Sequence, residues 1–152
     1  GNFPYNISSQ IVFKIIEHRE LIQEMVGMFQ KEMAVRIAAK PNSKDYGVIG
    51  ILAQAFYDCE YLFDVPPGCF TPPPKVMSGI LRMKRKIEPL GCDEKLFRQI
   101  VKQAFTQRRK MMSNSLKSFA FKGEVWETYA SKRPEQLSVQ EFVVLTNILS
   151  NG

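Results

Sequence analysis

Ten residues, 66–75, separate two apolar runs that read as strands, and five of the ten are proline. Parallel neighbours in a sheet need a connection of a dozen or more residues, usually a helix. The runs at 60–65 and 76–84 are therefore expected to lie antiparallel. A third run, Met25-Val26-Gly27-Met28-Phe29, is compact and apolar enough for a buried strand. Helical spacing precedes it at 7–16, through Ile11, Val12, Ile15 and Ile16, and follows it at 31–39, through Met33, Ala34, Ile37 and Ala38. The stretch 48–56 fits helix or strand by pattern and is read as helix. The order helix, strand, helix, helix, strand, strand is that of the second half of an α/β sheet.

Pro89 and Gly91 mark a linker at 87–91, after which the pattern turns wholly helical. Residues 93–105 place Leu96, Phe97, Ile100, Val101, Ala104 and Phe105 on one face. A short helix is expected at 113–119 and another at 124–129, anchored by Trp126. Ser138-Val139-Gln140-Glu141 is a capping box that opens the last helix, with Phe142, Leu145, Ile148 and Leu149 facing inward. The expected units are 1–86, half of an α/β domain, and 92–152, a small all-α domain. A unit of about 60 residues is marginal alone and should pack on the first.

The chain has 152 residues and a formal charge of +6, a balance that often accompanies a polyanionic partner. Its three cysteines, Cys59, Cys69 and Cys92, make no C-x-x-C spacing, which suits reduced thiols in a cytoplasmic protein. The single histidine, His18, cannot build a metal site or a histidine-based triad, and no metal is expected. No apolar run approaches the ~20 residues of a membrane helix.

Three blocks carry candidate chemistry. The first is Asn2-Phe3-Pro4-Tyr5, followed by Asn6-Ile7-Ser8. It has a plain reading as a strand end turning into a helix, with Ser8 or Ser9 as N-cap. Its chemical reading is methylation of an exocyclic adenine amine. That nitrogen is a poor nucleophile, because its lone pair is delocalised into the ring. The Asn2 side-chain oxygen and the Phe3 carbonyl could hold its hydrogens and favour a tetrahedral geometry. Pro4 fixes its own φ and stiffens that carbonyl, and Tyr5 offers a flat face to a flipped base. The second block is Phe70-Thr71-Pro72-Pro73-Pro74-Lys75-Val76-Met77-Ser78. Phe70 either plugs the core under the loop or stacks on a base. The third is Gln107-Arg108-Arg109-Lys110 with Asn114-Ser115-Leu116. Its cations either form a solvated helix end or grip phosphate. Arg82, Lys84 and Lys86 alternate as one exposed strand face would. Met25, Met28 and Met33 read as core.

These three blocks, in this order and spacing, resemble the KsgA-type rRNA adenine dimethyltransferases, and the resemblance covers nearly the whole chain. It implies a Rossmann-like class I methyltransferase sheet with one reversed strand near its edge, followed by a helical rRNA-binding domain. The implied activity is transfer of two methyl groups from S-adenosylmethionine to adenine N6 in small-subunit rRNA, with a role in small-subunit biogenesis. The implied catalytic residues are Asn2, Phe3, Pro4 and Tyr5, with Tyr5 and Phe70 clamping the base and Asn2 near the methionine part of the cofactor. Lys75, Arg108, Arg109 and Lys110 are implied to meet RNA, and the 30S subunit is the implied partner. Members carry a glycine-rich cofactor loop upstream of the tetrapeptide, and this sequence has no G-x-G run. The chain is therefore expected to be a C-terminal fragment, inactive by itself, that self-associates either through the 25–29 strand edge or by stacking exposed helix faces. Two rivals are a 23S rRNA methyltransferase of the antibiotic-resistance type, which shares the tetrapeptide, and a non-catalytic assembly or transcription factor on the same fold. The third block argues against the first, and intact Asn2 and Tyr5 against the second.

Overall fold

A computed structural model describes residues 8–69 and 77–151. Helix α1, Ser8–Glu17, buries Val12, Ile15 and Ile16 and leaves His18 exposed just beyond its end. Strand β1, Glu24–Gln30, is followed at once by α2, Lys31–Ala38. Helix α3, Val48–Gln54, is short and buries Gly50, Ile51, Leu52 and Ala53. It resolves the ambiguous 48–56 stretch as helix. Its closeness to α2 depends on Gly50, where an added Cβ would lie 2.5 Å from the Arg36 carbonyl oxygen. The Gln54 side chain donates to the Ile37 and Ala39 carbonyls at 2.9 and 2.8 Å, which serves groups at the end of α2 that have no helical partner.

Strands β2, Tyr57–Val65, and β3, Ser78–Arg85, complete a three-stranded sheet of order β1-β3-β2. As the short connection demands, β2 and β3 are antiparallel, from Tyr57 opposite Arg85 to Val65 opposite Ser78. The register shifts between Tyr61 and Phe63, a bulge that turns the strand. β1 also pairs antiparallel with β3, from Glu24 opposite Lys84 to Gln30 opposite Ser78. β3 is thus the reversed strand and sits between two strands that run the same way. β2 begins three residues earlier than its apolar pattern, because pairing with β3 continues to Arg85.

The helical half begins with α4, Glu94–Thr106, whose N-cap Asp93 accepts from the Leu96 N–H at 2.9 Å. Phe97, Ile100, Val101 and Ala104 form its buried face. The stretch expected as one helix at 113–119 is broken in two. Helix α5, Met112–Ser115, gives way to a 3₁₀ turn, Lys117–Phe119, which ends where Ala120 adopts φ 54°. Helix α6, Glu124–Ala130, buries Trp126, whose ring stacks on Phe121 at 4.4 Å. In α7, Val139–Asn151, the capping box closes as read: the Ser138 N–H donates to Glu141 at 2.9 Å and the Glu141 N–H to Ser138 Oγ at 3.1 Å. Phe142 and Leu145 are buried, and Ile148 and Leu149 are half-buried.

The apolar residues of both halves form one continuous cluster. Phe29, Ile37, Tyr46, Ile51, Leu52 and Leu81 from the sheet half join Phe97, Ile100, Phe142 and Leu145 from the helical half. Between them Gly91 takes φ 85°, and its carbonyl accepts from Asn147 at 3.1 Å. No helix among the described residues is long and apolar enough to cross a membrane.

Candidate nucleic-acid interface

Asn2, Phe3, Pro4, Tyr5, Phe70 and Lys75 lie outside the described residues. The structure does fix the ground on which the second block stands. β1 and β2 point the same way, and their carboxyl ends, Gln30 and Val65, are both opposite Ser78. The 66–76 segment therefore leaves and re-enters at the carboxyl end of the two parallel-running strands. That is where open α/β sheets hold their ligands.

A set of side chains that the sequence patterns did not single out braces this end. Tyr61 donates its hydroxyl to Asp64 Oδ1, and Lys31 Nζ lies 3.2 Å from Asp64 Oδ2. The Lys31 N–H donates to the Met77 carbonyl at 2.9 Å. The Tyr61 ring covers Gly79, where a Cβ would come within 2.5 Å of the ring. The hydrogen bond from Tyr61 and then the Lys31 ammonium hold the Asp64 carboxyl below its ordinary pKa. Loss of solvent, then the bond to Asp64, pushes the Tyr61 hydroxyl up to about 12. Only polar residues at 31, 61 and 64 hint at this brace in the sequence.

The basic run after α4 divides into two kinds of residue. Thr106 ends the helix, and Gln107 leaves helical geometry at φ −130°, ψ 68°. Arg108 then folds back. Its guanidinium lies 5.6 Å from the Phe105 ring centre, and Nη2 donates to the carbonyls of Ser43 and Lys44 at 3.2 and 2.9 Å. Glu135 approaches the same nitrogen at 3.4 Å. Arg108 thus stitches the loop between α2 and α3 to the helical half. Arg109 and Lys110 are exposed.

The two arginines of the second basic run have partners within the protein, while Lys84 is exposed. Arg82 pairs with Glu24 on the neighbouring strand at 2.7 Å. Arg85 donates to the Arg19 and Glu20 carbonyls at 2.9 and 3.0 Å. Arg19 in turn stacks 4.1 Å over Phe56 and reaches Glu94, at the start of α4, at 2.6 Å. Burial pushes the Cys59 thiol up to about 12 and raises that of Cys92, which suits inert thiols. No group of three or more His, Cys, Asp or Glu residues able to hold a metal ion occurs among the described residues.

Comparison with known proteins is consistent with this geometry. The sequence model of the ribosomal RNA adenine dimethylase family matches residues 1–149. A Flavobacterium johnsoniae protein named ribosomal RNA small subunit methyltransferase A is 58% identical over 148 residues, covering 96% of this chain and 57% of that protein. A Bacteroides thetaiotaomicron protein of the same name is 54% identical over 150 residues, covering 97% of this chain and 56% of that protein. The chain thus spans little more than half the length of these relatives. Among solved structures, a dimethyladenosine transferase from Plasmodium falciparum superposes with a TM-score of 0.87 at 25% identity, over 99% of this chain and 65% of that one. The 23S rRNA methyltransferase ErmE superposes with a TM-score of 0.69 at 24% identity, over 97% of this chain and 64% of that one. This last match speaks to the fold alone.

Proposed function

Because the chain belongs to the ribosomal RNA adenine dimethylase family, we propose that it forms the base-clamping and RNA-docking portion of an enzyme that dimethylates adenine N6 in small-subunit rRNA. The observation that carries this reading is identity of 54–58% to proteins named as small-subunit methyltransferases, over 96–97% of this chain. Val65 and Ser78, the flanks of the segment that carries Phe70, stand at the carboxyl ends of β1 and β2, which supports it, since open α/β sheets hold their ligands at that end. Family membership points to S-adenosylmethionine as the cofactor, of which this chain would hold the methionine part through Asn2. The cofactor supplies an electrophilic methyl group when bound.

In this reading Asn2 and the Phe3 carbonyl accept the two amine hydrogens, so that the nitrogen lone pair is freed from the ring. Two acceptors used in this way would favour the tetrahedral transition state over the flat ground state, which is where binding energy raises rate. Tyr5 and Phe70 stack on opposite faces of the base, each worth roughly 1–3 kcal/mol. Lys75, Arg109 and Lys110 meet backbone phosphates. Arg108 contributes chiefly by fixing where Arg109 and Lys110 stand. Residues 1–86 and 92–152 then act as base-handling and RNA-docking units on one shared core, with 30S subunits as the partner.

The test replaces the matching 148 residues of the F. johnsoniae relative with this chain, in cells that lack their own enzyme. Mass spectrometry should find N6,N6-dimethyladenosine in 16S rRNA. The modified base in 23S rRNA instead would favour the antibiotic-resistance type. An unmodified 16S rRNA beside normally assembled subunits would favour the non-catalytic factor.

A further inference from the structure

Beyond the basic run, a concavity of about 320 Å³ opens between the end of α4 and the 3₁₀ turn that follows α5. Gln103 and Gln107 form one wall, Asn114 and Ser115 another, and Lys110, Lys117 and Ser118 complete it. The lining holds two ammonium groups, three carboxamides and two hydroxyls, with no carboxylate and no aromatic ring. Among the described residues, neither lysine has an acidic group within ion-pairing distance. Gln103 donates to the Ser115 carbonyl at 3.2 Å, which sets the wall in place. Ser115 is 4% exposed, and its Oγ is buried without a hydrogen-bond partner among the described residues.

This chemistry narrows the occupant. Two cations without a counter-charge call for an anion. Carboxamides and hydroxyls suit a neutral polyol attached to it. The absence of aromatic lining leaves nothing for a base to stack on. The volume lies at the small end of ligand sites. We propose that this concavity seats one phosphodiester of RNA with its ribose. Lys110 and Lys117 meet the non-bridging oxygens, and Asn114 and the glutamines meet the 2′-hydroxyl. The contact positions the RNA without reading its sequence. It rests on the reading of Arg109 and Lys110 as RNA contacts and extends that footprint to Lys117 and Asn114.

The experiment measures binding of the 152-residue chain to unmodified small-subunit rRNA across a salt series. Lys117→Gln should lower the salt slope by about 0.7–0.9, the share of one phosphate contact, and Lys117→Arg should restore it. Asn114→Ala should reduce the preference for an RNA hairpin over DNA of the same sequence. If Arg109→Ala lowers the slope while Lys117→Gln leaves it unchanged, the concavity proposal fails and the reading of the basic run survives. If neither variant changes the slope, both fail. Binding of polyglutamate with the same dependence on Lys117 would also overturn the proposal, since it would mark a cation patch with no use for a ribose.

Discussion

The Arg108 guanidinium spends Nη2 on two backbone carbonyls and on Glu135, while Arg109 beside it faces solvent. Removing the first loses a charged donor to two carbonyls, its pairing with Glu135 and its packing on Phe105, and removing the second leaves nothing unpaired. Arg108→Ala should therefore lower stability by about 1–3 kcal/mol, and Arg109→Ala should stay within about 0.5 kcal/mol of the parent. Urea midpoints check both. In the sequence these two arginines are indistinguishable. A basic run looks the same whether it is solvated or stapled, because the carbonyls that decide the matter lie at Ser43 and Lys44. Asp64 gives a pH signature at the same scale. Its carboxyl is held low by Tyr61 and Lys31, so its contribution is present at neutral pH and is lost as pH falls through and below the ordinary carboxylate range. Asp64→Asn should flatten the acid limb of the stability curve, and an unchanged limb would remove Asp64 from the brace.

Among the elements, the joint between β2 and β3 is sensitive to a small change. At Gly79 an added methyl would sit 2.5 Å from the Tyr61 ring, and overpacking of this kind typically costs about 1–3 kcal/mol. Gly79→Ala should destabilise by that amount, and most of the loss should vanish when Tyr61→Ala is added, a coupling that a double-mutant cycle measures. Elements with a strong period were legible in the sequence. The face of α4 through Phe97, Ile100, Val101 and Ala104 and the Ser138–Glu141 cap stand where their patterns put them. Insertion of β3 between β1 and β2 was not legible, since strand order depends on which edges meet after folding. The break between α5 and the 3₁₀ turn also escaped, because it depends on tertiary ties such as the Met112 N–H bond to the Lys132 carbonyl at 2.7 Å.

At the scale of the whole molecule, one apolar cluster spans the sheet half and the helical half. Truncating a residue at its centre should weaken both. Ile51→Ala is expected to cost about 2–5 kcal/mol, and aromatic signals from the helical half, reported by Trp126, should melt together with those of the sheet. Two separated transitions would mean two cores. The shared core also gives the proposed chemistry its frame, since β2, β3 and α4 all contribute to it. The central claim is that Asn2 polarises the adenine amine while the rest of the chain delivers the base. It is tested most directly by single-turnover methylation of 16S rRNA with the F. johnsoniae chimera carrying Asn2→Ala. The account predicts a rate lower by on the order of 10²–10³, the usual loss for one preorganised polar group, with RNA affinity nearly unchanged. A rate within threefold of the parent, or a loss confined to RNA binding, would contradict it.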